Sequence, residues 1–237
     1  MKAYKYIVFD IDDTLLDFGK AYEEAQKIIF DKLGIEYTKE YVSLDEKCGW
    51  DAWRESGLDD TESKDVQENY HTYYYDYLRK HYLYLTQALG KTINENELVE
   101  SYIGSISNSK KFVEKKTLDT YSSLSEKYKM VLATNGLDII QRNRISDFLP
   151  YTYKIYISEK IGYIKPSRKF FKYVIEDLAC EPYQCLMIGD SITNDIIGAK
   201  SVGMDVCFYN IKSKDKPESI CIDYEIDGIE KLKQFLL

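Results

Sequence analysis

The sequence predicts an α/β protein, a parallel sheet whose first strand is separated from the others by a long helical insertion. Three observations predict this. Lys5-Tyr6-Ile7-Val8-Phe9 is a short apolar run of the kind found in strands buried on both faces, and it leads directly into Asp10-Ile11-Asp12-Asp13. Four later runs, Lys129–Ala133, Tyr153–Ile157, Cys185–Ile188 and Asp205–Phe208, repeat the pattern with helical stretches between them. Such alternation argues for parallel strands joined by crossover helices. From residue 38 to residue 112, by contrast, nothing reads as a strand.

The elements follow in order. After the acidic turn, Ala21, Ala25, Ile28, Ile29 and Leu33 recur near helical spacing, and Gly34 ends the pattern. The next stretch reads as several helices rich in Tyr, Lys and Glu, broken near Gly57-Leu58-Asp59-Asp60 and again near Gly90. Its cluster of Tyr73, Tyr74, Tyr75, Tyr77, Tyr82 and Tyr84 reads as amphipathic faces packing together. Later, Phe170, Phe171, Val174, Ile175 and Leu178 share one helical face. The first strand has no sheet partner for roughly a hundred residues, so the helical block is read as an insertion. Residues 1–17 and 113–237 then form a sheet-based core, and 18–112 form a cap hanging over the mouth of the sheet.

Composition narrows the function. A chain of 237 residues with 44% hydrophobic and 30% charged residues can bury a core and is not disordered. A net charge of −8, with no Lys/Arg cluster, disfavours a nucleic-acid polymer as partner. No apolar run approaches membrane-spanning length, and the N-terminus enters a strand at once, so neither membrane insertion nor secretion is expected. Five cysteines, odd in number and without CxxC pairs, fit buried reduced thiols in a cytoplasm. His71 and His81 lack an acidic or cysteine partner at ligand spacing and read as structural. Nothing in the sequence specifies an oligomeric state.

Four segments carry chemistry. Asp10 and Asp12 sit where the first strand ends, which is where open α/β sheets bind ligands. A solvated turn could hold them, but acids at a buried strand end call for a compensating cation or proton. Thr134-Asn135-Gly136 ends the second core strand and could present a hydroxyl and amide N–H groups to a phosphate; Asp138 and Gln141 then suit the capping of the next helix. Lys165-Pro166 precedes the Phe170 helix and could fix a cation there. Gly189-Asp190-Ser191-Ile192-Thr193-Asn194-Asp195 places Asp190 at the tip of another strand and Asp195 in or near the first turn of a helix. Capping alone could explain Asp195, but not Asp190.

In this order the four segments resemble the signature motifs of the haloacid dehalogenase-like hydrolase superfamily, and the helical insertion resembles the cap of its subfamily I. Asp12-Asp13-Thr14-Leu15-Leu16-Asp17-Phe18, Ala133-Thr134-Asn135-Gly136 and Ile157-Ser158-Glu159-Lys160-Ile161-Gly162 are similar to its pyrimidine 5′-nucleotidase-like branch. The resemblance implies a Rossmann-like three-layer core and a Mg²⁺-dependent phosphatase. Asp10 would be the nucleophile. Mg²⁺ would be held by Asp10, the backbone carbonyl of Asp12 and Asp190, with Asp195 orienting its ligands or waters. Lys165 and Thr134, with N–H groups near Asn135 and Gly136, would bind the phosphoryl group. Asp12 would serve as acid and then base, and its presence favours a phosphatase or phosphomutase because in the dehalogenase branch that position is not acidic.

The expected substrate is a small phosphate ester, a nucleoside 5′-monophosphate in the favoured reading. Two alternatives are a sugar phosphomutase of the β-phosphoglucomutase type and a non-catalytic binding module on the same fold. Phe18, Trp50, Trp53 and Arg54 are candidates for contacting the leaving group. Trp50 and Trp53, three apart on one helix, read first as packing within the cap.

Overall fold

The computed structural model describes residues 3–60, 63–211, 213 and 220–237. Strand β1 (Tyr6–Phe9) is buried throughout and is followed by helices α1 (Phe18–Leu33), α2 (Lys39–Ser56), α3 (Lys64–Glu68), α4 (Tyr70–Ala88), α5 (Glu95–Ser107) and α6 (Lys115–Ser125). Then come β2 (Lys129–Thr134), α7 (Asp138–Arg144), β3 (Thr152–Ile157), α8 (Ser158–Ile161), α9 (Arg168–Leu178), β4 (Cys185–Gly189), β5 (Asp205–Tyr209) and β6 (Tyr224–Ile226). The five longer strands lie where the apolar runs predict them. β6, only three residues long and bearing Glu225, carries too little apolar signal to be read from sequence.

All six strands are parallel, in the order β3-β2-β1-β4-β5-β6. The chain therefore builds outward from β1 on one side and returns to place β4 on the other. The carboxyl ends of β1 and β4 flank the point where the strand order reverses, the position at which such sheets form a ligand crevice.

Alternate side chains along each strand feed the two faces. On one face Ile7, Phe9, Leu132, Leu186 and Ile188 pack with Tyr121 and Leu124 of α6 and with Leu232 and Leu236. On the other, Val8, Val131, Met187 and Val206 pack against Phe170, Phe171, Val174 and Leu178 of α9. This gives the expected three layers of an α/β fold.

Helices α1, α2, α4 and α5 enclose an apolar cluster of their own, containing Ala25, Ile29, Cys48, Leu78, Leu85 and Leu98. Asp17 caps α1 by accepting the Lys20 N–H at 3.0 Å, and Gly34, at φ 62°, ends it. The cluster extends to Leu16 and to Leu137 and Ile140 at α7. A smaller one joins Leu58, Val66 and Tyr70 to Ile164, one residue before Lys165. The helical block is thus packed against the loops that follow β1, β2 and β3.

Candidate active site

Asp10 leaves β1 buried, with its N–H donated to the Ile188 carbonyl of β4 at 2.9 Å. Asp190 leaves β4, and its N–H donates to Thr14 Oγ at 3.1 Å. Asp195 lies in a turn of π-helix over Ile192–Ile197 and is 1% exposed. Its carboxylate accepts the Ser191 N–H at 3.1 Å. A methyl group on Gly189 would meet that carboxylate at 2.2 Å, so only glycine lets Asp195 close on the strand end.

Carboxylate oxygens of Asp10, Asp190 and Asp195 lie within 4.8 Å of one another. Lys165 reaches the same place: Nζ is 2.6 Å from an oxygen of Asp10 and 2.6 Å from one of Asp195. Burial alone would favour a neutral lysine, but the two carboxylates reverse this and hold Lys165 above its ordinary value. Burial also pushes the Asp10 carboxyl well above its usual range; Lys165 opposes the push, and Asp195 and Asp12 add to it. Lys165 pairs with two of these three acids, Asp10 and Asp195. Closely spaced carboxylate oxygens without nitrogen or sulfur donors fit a hard divalent cation such as Mg²⁺.

Asn135 comes to this site by way of Lys165. Its carboxamide donates to the Lys165 carbonyl and accepts the Lys165 N–H, both at 2.8 Å. The Gly136 N–H is donated to Ser158 Oγ at 2.9 Å, with Gly136 itself at φ 142°. Thr134 Oγ, 1% exposed at the end of β2, accepts from Gln141 Nε2 at 3.1 Å.

Asp12 is held by α7. One of its oxygens accepts from Gln141 Nε2 at 3.0 Å, and the other pairs with the Arg144 guanidinium. The expected capping pair at α7 is therefore corrected. Leu137 stands at the helix start, the Asp138 N–H donates to Glu159 at 2.6 Å, and Gln141 turns toward Asp12. Sequence reasoning gave Gln141 the wrong partner and missed Arg144. An arginine on an apolar helix flank is the signal that could have found it.

A cleft of about 410 Å³ opens within the helical block, lined by Phe18, Tyr22, Glu46, Gly49, Trp50, Trp53, Tyr74, Tyr77 and Tyr102. The Phe18 ring lies 5.6 Å from the Arg144 guanidinium, so the cleft adjoins the Asp12 side of the site. Trp53 meets Tyr77 edge-on at 5.3 Å. Trp50, expected to pack inside, is instead 67% exposed at the cleft. Arg54 is not among the lining residues: it pairs with Asp51 at an exposed position three residues away. The tyrosine cluster does pack, through ring contacts such as Tyr70–Tyr74 at 5.8 Å and Tyr74–Tyr77 at 5.7 Å.

His81, read as lacking an acidic partner, has one from another helix: Nε2 lies 2.8 Å from an oxygen of Asp45. Gln26 and Tyr22 also donate to Asp45, at 2.8 and 3.0 Å. The pair is buried between α2 and α4, the helices that carry it.

A haloacid dehalogenase-like hydrolase family model matches residues 4–203. The chain belongs to the haloacid dehalogenase-like hydrolases. This hydrolase is 28% identical over 246 residues to the HAD-hydrolase YfnB of Bacillus subtilis, covering 100% of this chain and 97% of that one. It is 28% identical to the pyrimidine 5′-nucleotidase PynA of Streptococcus pneumoniae, covering 97% and 93%. A crystal structure of YfnB, bound to magnesium and showing interdomain movement, superposes with a TM-score of 0.83 at 26% identity over 99% of each chain. Among the described residues, no helix is long and apolar enough to cross a membrane.

Proposed function

We propose that this hydrolase is a Mg²⁺-dependent phosphomonoesterase acting through an aspartyl-phosphate, with nucleoside 5′-monophosphates as its substrate class. The observation that carries this reading is the convergence at the switch point of the sheet of Asp10, Asp190 and Asp195, with carboxylate oxygens within 4.8 Å of one another, and of Lys165, bonded to Asp10 and Asp195, with Asp12 two residues along the chain from Asp10. Asp10, the Asp12 carbonyl and Asp190 would hold Mg²⁺, with Asp195 fixing the surroundings. When bound, the cation supplies positive charge that offsets the repulsion between a carboxylate and a phosphate ester.

The steps run through the protein's own groups. An Asp10 oxygen attacks phosphorus, the bond to the leaving oxygen breaks, and Asp12 gives that oxygen its proton. Asp12, now a carboxylate, takes a proton from water. The water oxygen attacks phosphorus, and the bond to Asp10 breaks to release phosphate. Lys165 and Thr134 hold the phosphoryl oxygens throughout. Asn135 serves by fixing Lys165, its carboxamide being committed to that backbone.

The helical block of residues 18–112 would act as the cap, closing over the site and excluding water from the acyl phosphate. Its aromatic cleft supports a nucleoside as leaving group, since Phe18, Trp50 and Trp53 offer faces for a base to stack on. The resemblance to PynA points the same way. The test is phosphate release across nucleoside 5′-monophosphates and hexose phosphates, with Mg²⁺ and with a chelator. Chelator-sensitive release that favours pyrimidine nucleotides supports the reading. Interconversion of hexose-phosphate isomers without phosphate release would make the phosphomutase alternative correct, and inertness in the presence of Mg²⁺ the binding module.

A further inference from the structure

Arg144 carries a permanent charge yet is 1% exposed, and the mechanism above gives it no task. A guanidinium so placed needs a carboxylate and a full set of acceptors. It has Asp12 on one nitrogen, Gln141 Oε1 on a second at 3.0 Å and Ser109 Oγ on the third at 3.0 Å. Gln141, one helical turn earlier on the same face of α7, then donates to the other Asp12 oxygen at 3.0 Å. The same Gln141 nitrogen lies 3.1 Å from Thr134 Oγ and 3.0 Å from the Asn135 carbonyl.

We propose that Arg144 and Gln141 are positioning residues for proton transfer, fixing both oxygens of Asp12 relative to the phosphoryl pocket at Thr134. This rests on the assignment of Asp12 as acid and base. One guanidinium N–H on one oxygen and an amide N–H on the other define the plane of the carboxylate, and the remaining guanidinium bonds, to Gln141 and Ser109, hold the arginine still. Each oxygen keeps a further lone pair, and 31% of the Asp12 side chain stays exposed, so an edge still faces the mouth of the site. The Phe18 ring beside the guanidinium puts the leaving-group cleft next to the same arginine.

Leaving-group chemistry separates this role from simple packing. An alkoxide leaving from a nucleotide needs a proton from Asp12, whereas p-nitrophenolate does not. The value of kcat/KM reports the steps up to release of the leaving group. For Arg144→Met, kcat/KM on a nucleoside 5′-monophosphate should fall about 10²-fold, and on p-nitrophenyl phosphate several-fold at most. Arg144→Lys should recover part of the loss, and Gln141→Leu should show the same selectivity if Arg144→Met does not fold. Equal losses on both esters, or wild-type kinetics in both variants, would overturn the proposal. Asp12→Asn is the control. If it shows the selective loss and the Arg144 and Gln141 variants do not, only this inference fails. If Asp12→Asn itself lacks selectivity, or the wild type hydrolyses neither ester, the assignment of Asp12 fails and takes the inference with it.

Discussion

Lys165 Nζ donates to an oxygen of Asp10 across 2.6 Å, although 155 residues separate the two in the chain. The contact is buried at both ends, so it links the end of β1 to the loop between α8 and α9 in a low-dielectric setting where unpaired charge is costly. It also leaves the carboxylate proposed to attack phosphorus beside the cation proposed to meet the phosphoryl group.

Removing that cation should be felt twice. Lys165→Met would leave Asp10 and Asp195 facing each other unbalanced, costing ~3 kcal/mol of stability and abolishing turnover. Thermal denaturation should show the deficit shrinking when Mg²⁺ is added, because a divalent ion can replace part of the lost charge. A variant as stable as wild type, and indifferent to Mg²⁺, would contradict the arrangement.

Asn135 acts on Lys165 through two backbone hydrogen bonds. Asn135→Ala should therefore lower kcat on the order of 10²-fold by letting the ammonium drift, with a smaller change in KM. Steady-state kinetics on a nucleotide checks the split.

Much of this site was legible from sequence because its parts stand at the ends of apolar runs. Asp10, Thr134 and Asp190 each follow a recognisable strand, and strand ends fix position. What escaped notice depends on tertiary contact. Arg144 sits at the end of a short helix with no motif around it, the Gln141 bond to Asp12 crosses 129 residues and not one helical turn, and the partner of His81 is Asp45, 36 residues away on another helix. Arg54 and Trp50 share α2, but only the contacts of that helix decide which of them faces the cleft.

The Asp45–His81 pair gives a prediction about pH. Burial pushes the Asp45 carboxyl up, but bonds from His81, Gln26 and Tyr22 outweigh it and hold the group below its ordinary value. The fold therefore favours the carboxylate. Its contribution is complete above the unfolded-state value near ~4 and fades as pH falls through the lower folded value. Asp45→Asn should lower stability by ~3 kcal/mol at neutral pH, a gap that narrows below about pH 4. Denaturant melts of both proteins at several pH values measure it.

Trp50 tests the cleft. Its exposed ring should matter to a stacked base and not to the chemistry. Trp50→Ala should raise KM for nucleotides about tenfold, corresponding to a stacking contribution of ~1–2 kcal/mol, and leave p-nitrophenyl phosphate nearly unaffected. Competition by free nucleosides should weaken in parallel.

The decisive measurement is to trap the phosphorylated protein. Asp12→Asn mixed with substrate and Mg²⁺, quenched in acid and digested, should yield a peptide carrying a hydroxylamine-labile phosphoryl group on Asp10. Asp10→Asn should carry none and release no phosphate. Wild-type rates of phosphate release from Asp10→Asn, or a phosphoryl group found on any other residue, would contradict the account.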